Sequence, residues 1–419
     1  MKQTVFLLLV LLLTLPLASC YDYSEPDEKA WVLAIGMDKG KENKLTVTTI
    51  IAVPKNIAGA GGGGEGGGGG GGQETFFSVS LEVPSLLSAL ELLDAVVDRR
   101  PDLSHTAWFV FSRELAEEGI EAYFAPLARF YQFRRSANII ICEEQAQEFL
   151  SRGKPILEDN VSKYYQLQQQ AYQYTEFIPN DTLHQFYIKS KSPGVAAMAP
   201  LAALKKEKPI NNGAPSPRPE TDIPKGEYQA GQLPRQGSGE IEVMGAAVFR
   251  QGWMVGTLNG DELGAARMLE GTLKQTIKDI PDPAQPDTYL IAMVKPRQKP
   301  QIKVDIGPDY PQISIELKFE GDLLSVQSGI NYEEPHMLHI AEQAITQSLQ
   351  EDINKYLAKS QQLGTDVAGL GLSAKKNFRT WPEWEAYDWE SKYPLASINV
   401  NVDYRLRRIG LLHETVPLR

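Results

Sequence analysis

Residues 335–364 read PHMLHIAEQAITQSLQEDINKYLAKSQQLG. Leu338, Ala341, Ile345, Leu349, Ile353 and Leu357 recur every three or four positions, which sets them on one stripe of a helix. The spacing predicts that helix over 336–362. At a 1.5 Å rise per residue it reaches roughly 40 Å, enough to cross a small sheet. The sheet is legible on both sides of it. Upstream, Ile302, Val304 and Ile306, then Ile313, Ile315, Leu317 and Phe319, alternate with polar residues as half-buried strands do. Downstream, Ile398, Val400, Val402, Tyr404 and Leu406 fall on one face, and Asn399, Asn401, Asp403, Arg405 and Arg407 on the other. A strand with one packed and one wet face belongs to an antiparallel or mixed sheet.

Toward the N-terminus the same alternation of elements continues. Trp31–Gly36 and Leu45–Val53 flank a polar turn and read as a hairpin, and Gln73–Glu82 reads as a further strand. Pro84-Ser85 opens a helix carrying Leu86, Leu87, Leu90, Leu93 and Val97. A strand at Ala107–Phe111, a helix holding Leu115 and Ala116, and another from Leu127 to Phe133 follow. The Ile139–Cys142 strand precedes Ala146–Ser151 and a helical stretch near 161–176. Ile241–Phe249 and Trp253–Gly256 are hairpin-like, ahead of a helix from Asp261 to about Leu273.

Strands interleaved with helices predict an α+β or mixed α/β fold. Residues 191–239 hold eight prolines and read as a linker or long surface loop, and 281–300 hold five and read as a second boundary. The expected organisation is three consecutive domains, each a mostly antiparallel or mixed sheet packed with helices. They cover 20–190, 191–285 (preceded by the proline-rich stretch) and 286–419. In the first, twelve of the fourteen residues 59–72 are glycine, a composition with too little side chain to bury. Its G-x-G-x-x-G matches lack a strand leading straight in and a helix leading out, so they carry no dinucleotide signal.

The 419 residues are 42% apolar and 23% charged, which excludes wholesale disorder and a polytopic membrane protein. Net charge is −11, so no positive field gathers phosphates, and nucleic acid is not an expected partner. Two cysteines exclude a disulfide scaffold. Lys2, the apolar run Val5–Leu13 and the ending Leu17-Ala18-Ser19-Cys20 make residues 1–19 a secretory signal, too short to span a bilayer. The ending has the form of a bacterial lipobox, in which the Cys20 sulfur takes a diacylglyceryl group and becomes the mature N-terminus. Loss of Lys2 then brings the net charge to −12. The other reading leaves Cys20 an ordinary thiol, paired with Cys142 or free. Cys142 itself closes an apolar run and reads as a small buried hydrophobe.

Chemistry is sparse. Five histidines occur, at 105, 184, 336, 339 and 413, with no H-E-x-x-H and no pair of C-x-x-C motifs, so no metal is expected. His336 and His339 lie three apart without a carboxylate cluster to complete a site. Ser373-Ala374-Lys375-Lys376 matches S-x-x-K without its companion motifs, and Gly369–Ala374 imitates a dinucleotide fingerprint after a helix instead of a strand. The densest patch is Trp381–Glu390, with three tryptophans and four carboxylates. It reads as a helix clamped to the sheet by Trp381, Trp384 and Tyr387 with its acids in water. The competing reading is an aromatic platform with Glu383 and Glu385 or Asp388 as acid and base. Arg134 and Arg135 read as solvated or ion-paired flanks of the Ile139 strand. No catalytic residue and no cofactor site is expected.

Taken in order, the segments resemble the Ger(x)C family, the C subunits of nutrient germinant receptors of spore-forming bacteria. Cys20-Tyr21-Asp22 stands where the family shows Cys-Trp-Asp, and Ala34–Lys39 matches its apolar-Gly-apolar-Asp strand ending. His105–Arg135 is similar to the central block of its N-domain, and Gly245–Phe249 with Met254-Val255-Gly256 to the start of its middle domain. Thr365–Gly371, Trp384, Trp389 and the last strand to Gly410 resemble its C-terminal signature. The resemblance implies three domains tethered through Cys20 to lipid at the outer face of the cell membrane, in the spore its inner membrane. It implies membrane A and B subunits as partners, no enzymatic activity, and a role in nutrient-triggered germination. Two other classes compete. A solute-binding lipoprotein would show two similar lobes around a cleft, and a cell-wall hydrolase would use the acids of 381–390.

Overall fold

The computed structural model describes residues 3–4, 25–54, 75–158, 160–206, 224–307 and 309–408. The polyglycine stretch 59–72, Cys20 and its lipobox, and His413 lie outside the described residues.

Nine strands form the first sheet: β1 (Lys29–Lys39), β2 (Leu45–Ala52), β3 (Phe76–Val83), β4 (Arg100–Asp102), β5 (Trp108–Ser112), β6 (Asn138–Cys142), β7 (Met198–Leu204), β8 (Ile241–Arg250) and β9 (Trp253–Leu258). Their order is β3-β2-β1-β5-β6-β7-β8-β9, with β4 alongside the start of β1. The central run β1-β5-β6-β7 is parallel and the flanks are antiparallel hairpins. Parallel strands need crossovers, and crossovers put helices on both faces. Every residue of β5, β6 and β7 is accordingly buried. Alternation still sorts their side chains. Phe109, Phe111, Ile139 and Ile141 join a core with the helices Leu86–Leu93, Glu121–Arg129 and Leu183–Lys191. Trp108, Val110 and Ile140 join the opposite core with Phe149, Val161 and Tyr165.

The second sheet holds β10 (Thr276–Pro281), β11 (Tyr289–Pro296), β12 (Gln301–Asp305), β13 (Gln312–Val326) and β14 (Ser397–Arg408). Its order is β10-β11-β13-β12, with β14 parallel along β13 from Gln312↔Ser397 onward. A parallel pair cannot be closed by a tight turn. The long helix, Pro335–Leu363, belongs to the crossover between β13 and β14. Its stripe Ala341, Ile345, Leu349, Ile353 and Leu357 is buried on Ile313, Ile315, Leu317, Val400 and Val402. At about 1.5–3 kcal/mol per buried Leu or Ile, that stripe contributes on the order of 10 kcal/mol as an upper bound. Gly364 ends the helix in the left-handed region at φ 63°. No helix among the described residues is long and apolar enough to cross a membrane.

The helix Gly260–Glu270 joins the two sheets. Asn259 and Glu262 close a reciprocal capping box at its start, with N–H donors at 2.9 and 2.8 Å. Its Leu263, Ala266 and Leu269 share one core with Ala246 and Val248 of the first sheet and with Leu290 and Val294 of the second. The chain is an α+β fold of mixed sheets packed with helices.

Three sequence readings change. Residues 191–285, expected as a middle domain, form no sheet of their own: β7, β8 and β9 complete the first sheet and β10 opens the second. The stretch 191–239, read as a linker or surface loop for its eight prolines, contains β7 with Pro200 in its middle. Pro200 is tolerated where the β7/β8 register shifts, between Pro200 and Ala202. The boundary at 281–300 contains β11, paired with β10 from Thr276↔Val294 to Pro281↔Tyr289. Proline is accepted where a ladder is open: Pro281 lies on the edge strand β10, and Pro296 ends β11 beyond Val294, where the pairing with β10 stops. A smaller difference is the helix opened by Ser85, which stops at Leu93 and does not include Val97.

Candidate functional site

The seam between the sheets gathers the most unusual chemistry of the molecule. The loop leaving the long helix runs from Gly364 to Gly369, and Asp366 in it is nearly fully buried. Its Oδ1 accepts the Leu370 N–H at 2.9 Å, and its Oδ2 accepts the Gly371 N–H at 2.7 Å and the Trp389 indole N–H at 3.1 Å. Burial pushes the Asp366 carboxyl up to about 6 although these donors pull it down. The Asp366 carbonyl accepts the Ala196 N–H at 2.8 Å, a bond that reaches toward β7 of the first sheet. Backbone meets backbone beside it: a Cβ on Gly371 would lie 2.5 Å from Gly194 Cα, and one on Gly194 2.8 Å from Trp384 Cζ2. The two glycines let the halves touch.

A cavity of about 440 Å³ opens along this seam, lined by Ser190, Lys191, Arg250, Trp253, Thr365 and Asp366 among others. The Thr365 and Ser190 hydroxyls are buried without a hydrogen-bond partner among the described residues. Glu390 at the rim accepts the Gln251 amide at 3.2 Å, and Lys191 pairs with Glu121. The arrangement presents polar groups of both signs, with no nucleophile set against a base.

A second cluster ties the same halves together. Lys278 on β10 is buried, with Nζ 2.7 Å from Asp261, 2.9 Å from Asp352 on the long helix and 3.1 Å from Glu176. Burial alone would push its ammonium down. The three carboxylates outweigh that and hold it well above the ordinary lysine range. Arg267 beside it donates to the carbonyls of Tyr172, Thr175 and Ile178 at 2.7–3.0 Å.

The residues singled out from the sequence are scattered. Cys142 is a free, buried thiol whose Sγ donates to the Glu144 carbonyl at 3.2 Å. His336 and His339 sit exposed on the long helix, 3.5 Å from Glu334 and 3.9 Å from Glu342. Among the described residues no group of three His, Cys, Asp or Glu is placed to hold a metal. Arg134 and Arg135 are exposed. Gly369–Ala374 opens a short helix packed on the second core, without a strand before it.

In the 381–390 patch the buried anchors are Trp384 and Trp389, whereas Trp381 is 45% exposed, under the Lys375 ammonium at 4.4 Å. Glu383, Glu385, Asp388 and Glu390 all face water. The helix ends at Tyr387, and Asp388 at φ 52° turns the chain so that Trp389, not Trp381, points inward. Neither Asp366 nor Lys278 belongs to a recognisable catalytic or metal-binding motif in the sequence. For Asp366 a signal existed: a carboxylate just beyond the glycine that ends a long helix, followed by small residues that leave its acceptors to backbone N–H groups.

Comparison with known proteins places this geometry. The chain is 24% identical to spore germination protein KC of Bacillus subtilis (strain 168) over 426 residues, covering 99% of this chain and 98% of that protein. It is 22% identical to the putative spore germination protein YfkR of the same organism, covering 99% and 100%. The crystal structure of the GerBC protein shares the fold at 13% identity with a TM-score of 0.51, covering 89% of this chain and 96% of that one. Residues 22–204 match the spore germination protein N-terminal domain, and residues 244–410 match the spore germination B3/GerAC-like C-terminal domain. Two models in order along one chain leave a single assignment: the protein is a member of the Ger(x)C family of spore germination proteins.

Proposed function

We propose that the protein is the C subunit of a nutrient germinant receptor. It is a lipoprotein without enzymatic activity, held by acyl chains on Cys20 to the outer face of the membrane, in the spore its inner membrane. It acts through contacts with membrane A and B subunits. The observation that carries the reading is the ordered match of both halves, nearly end to end, to spore germination proteins. Leu17-Ala18-Ser19-Cys20 supports the tether, because two or three acyl chains at about 0.8 kcal/mol per buried CH₂ hold far better than one. The solute-binding alternative asks for two similar lobes, and sheets of nine and five strands in different orders do not supply them. The hydrolase alternative asks for an aromatic platform, and Trp384 and Trp389 are buried.

Deleting the gene is expected to abolish the germination response to at least one nutrient; spores fully responsive to every germinant overturn the role. Cys20→Ala is expected to move the protein from the membrane fraction to the soluble one and to remove incorporation of a labelled fatty acid. Unchanged fractionation with unchanged label overturns the tether.

A further inference from the structure

The N-terminal edge of the first sheet carries an apolar groove that the described residues leave uncovered. It has a volume of about 530 Å³ and is walled by Pro26, Trp31, Val53, Pro54, Phe77 and Val97, among other residues. Phe77 is 39% exposed, Val96 beside Val97 is 58% exposed, and Trp31 is half-buried with its ring edge-on to His105 at 4.7 Å. Single exposed apolar residues are ordinary, but aromatic and β-branched side chains gathered around one groove mark a contact surface.

We infer that this groove is the face that meets the phospholipid surface, so that the protein lies on the bilayer through the Trp31–Phe77–Val97 walls. The inference rests on the proposed acyl anchor at Cys20. Pro26 stands on the groove wall six residues after Cys20, and six extended residues reach at most about 20 Å. Chains buried in the bilayer therefore hold this groove within one short tether of the lipid headgroups. Trp31 fits that level, since a ring with an apolar body and a polar N–H settles at the boundary between acyl chains and headgroups, and Phe77 adds apolar area.

Charge does not drive the contact. Lys29 at the rim is engaged by Asp102 at 2.8 Å, and the exposed Arg99 and Arg100 are outnumbered by Glu25, Asp27, Glu28 and Asp98. Apolar burial is left as the source of affinity, and apolar burial is insensitive to salt. The contact is accordingly expected on phosphatidylcholine alone and gains nothing from added phosphatidylglycerol, which separates it from a polybasic headgroup site.

The test is a depth measurement on the mature full chain. Phe77→Cys and, elsewhere on the groove lining, Val97→Cys each carry a fluorophore, with Leu395→Cys, 66% exposed on the second half, as reference. Cys142 is buried and stays unlabelled. One arm uses the acylated protein in phosphatidylcholine vesicles bearing a nitroxide on the acyl chain. The other replaces residues 1–20 by a polyhistidine tag on nickel-chelating lipid, and reads the groove whatever the state of Cys20. The expected result is quenching at 77 and 97 at least about twofold stronger than at 395 in both arms, unaltered by high salt. Equal quenching at all three positions on floating vesicles overturns the groove contact and leaves the anchor standing. Failure of the acylated arm alone to float overturns the anchor instead. Labels shielded from aqueous quencher only when membrane partner subunits are present, and never reached by the lipid nitroxide, assign the groove to a protein and overturn the inference.

Discussion

The two sheets of this molecule bury their strands in different ways. In the first, β5, β6 and β7 run parallel beneath helices on both sides, and every side chain is enclosed. In the second, β13 and β14 bury alternate residues under one long helix and leave the other face to water. The difference follows from connection. Repeated parallel crossovers cover both faces, whereas β10 to β13 are joined by antiparallel returns and a single crossover leads to β14. A one-sided sheet has a spare face on which to display polar groups, and a two-sided sheet has none.

That contrast is broken most directly by a charge on neighbouring residues. Ile140 and Ile141 point into opposite cores of the first sheet. Ile140→Asp and Ile141→Asp are each expected to cost more than about 4 kcal/mol, because either places a carboxylate among apolar atoms. In β14 the pattern alternates: Val400→Asp is expected to be as severe, while Asn399→Asp stays within about 0.5 kcal/mol. Urea unfolding of the mature chain reads all four. An Ile140→Asp protein that unfolds at the wild-type midpoint dismantles the two-sided account.

The same contrast decides what the sequence disclosed. The second half was legible because one-sided burial writes its period into the residues: Ile398 to Leu406 alternate, and the helix expected at 336–362 is found at Pro335–Leu363. In the first sheet β7 reads Met-Ala-Pro-Leu-Ala-Ala-Leu, enclosed on both faces and carrying no alternation, with a proline that disguises it as linker. Short apolar runs of this kind have no period to detect. The seam was legible only as a pattern. Thr365–Gly371 resembles the family signature, and a carboxylate just beyond the helix-ending Gly364 is a local signal, but the burial of Asp366 comes from residues 190–197 and 389–393, far along the chain. Lys278 was invisible for the same reason, its three acids lying at 176, 261 and 352.

Lys278 also tests whether the two sheets are one cooperative unit. Lys278→Met leaves Glu176, Asp261 and Asp352 facing one another without their cation. The expected cost at neutral pH is about 3–5 kcal/mol. Burial already raises Glu176 and Asp352, and the lysine opposes that rise, so its removal raises both further. Protonation then relieves the repulsion, and the penalty is expected to shrink as pH falls toward 4. A penalty independent of pH would mean that packing, not charge, makes the tie. Two separated unfolding transitions in the variant, in place of one, would show that this cluster is what couples the sheets.

Asp366 carries a smaller expected effect than Lys278, and it sharpens the comparison because the seam is neither wet nor apolar. Its carboxyl stands at about 6 in the folded chain against an ordinary value of 3.8. The folded state therefore prefers the protonated acid. The stabilisation is complete below about 4, is lost as pH rises through 6, and amounts to about 3 kcal/mol at most. Asp366→Asn has no proton to lose, so wild-type stability relative to the variant is expected to fall between pH 4 and pH 7 and to level off above. Baseline loss in the variant is expected at every pH, since an amide nitrogen cannot accept the N–H groups of Gly371 and Trp389 that Oδ2 now accepts. The two contributions separate by their pH dependence alone. Parallel thermal-melting curves for the two proteins across that range would mean that Asp366 is ionised throughout, with its three N–H donors outweighing burial.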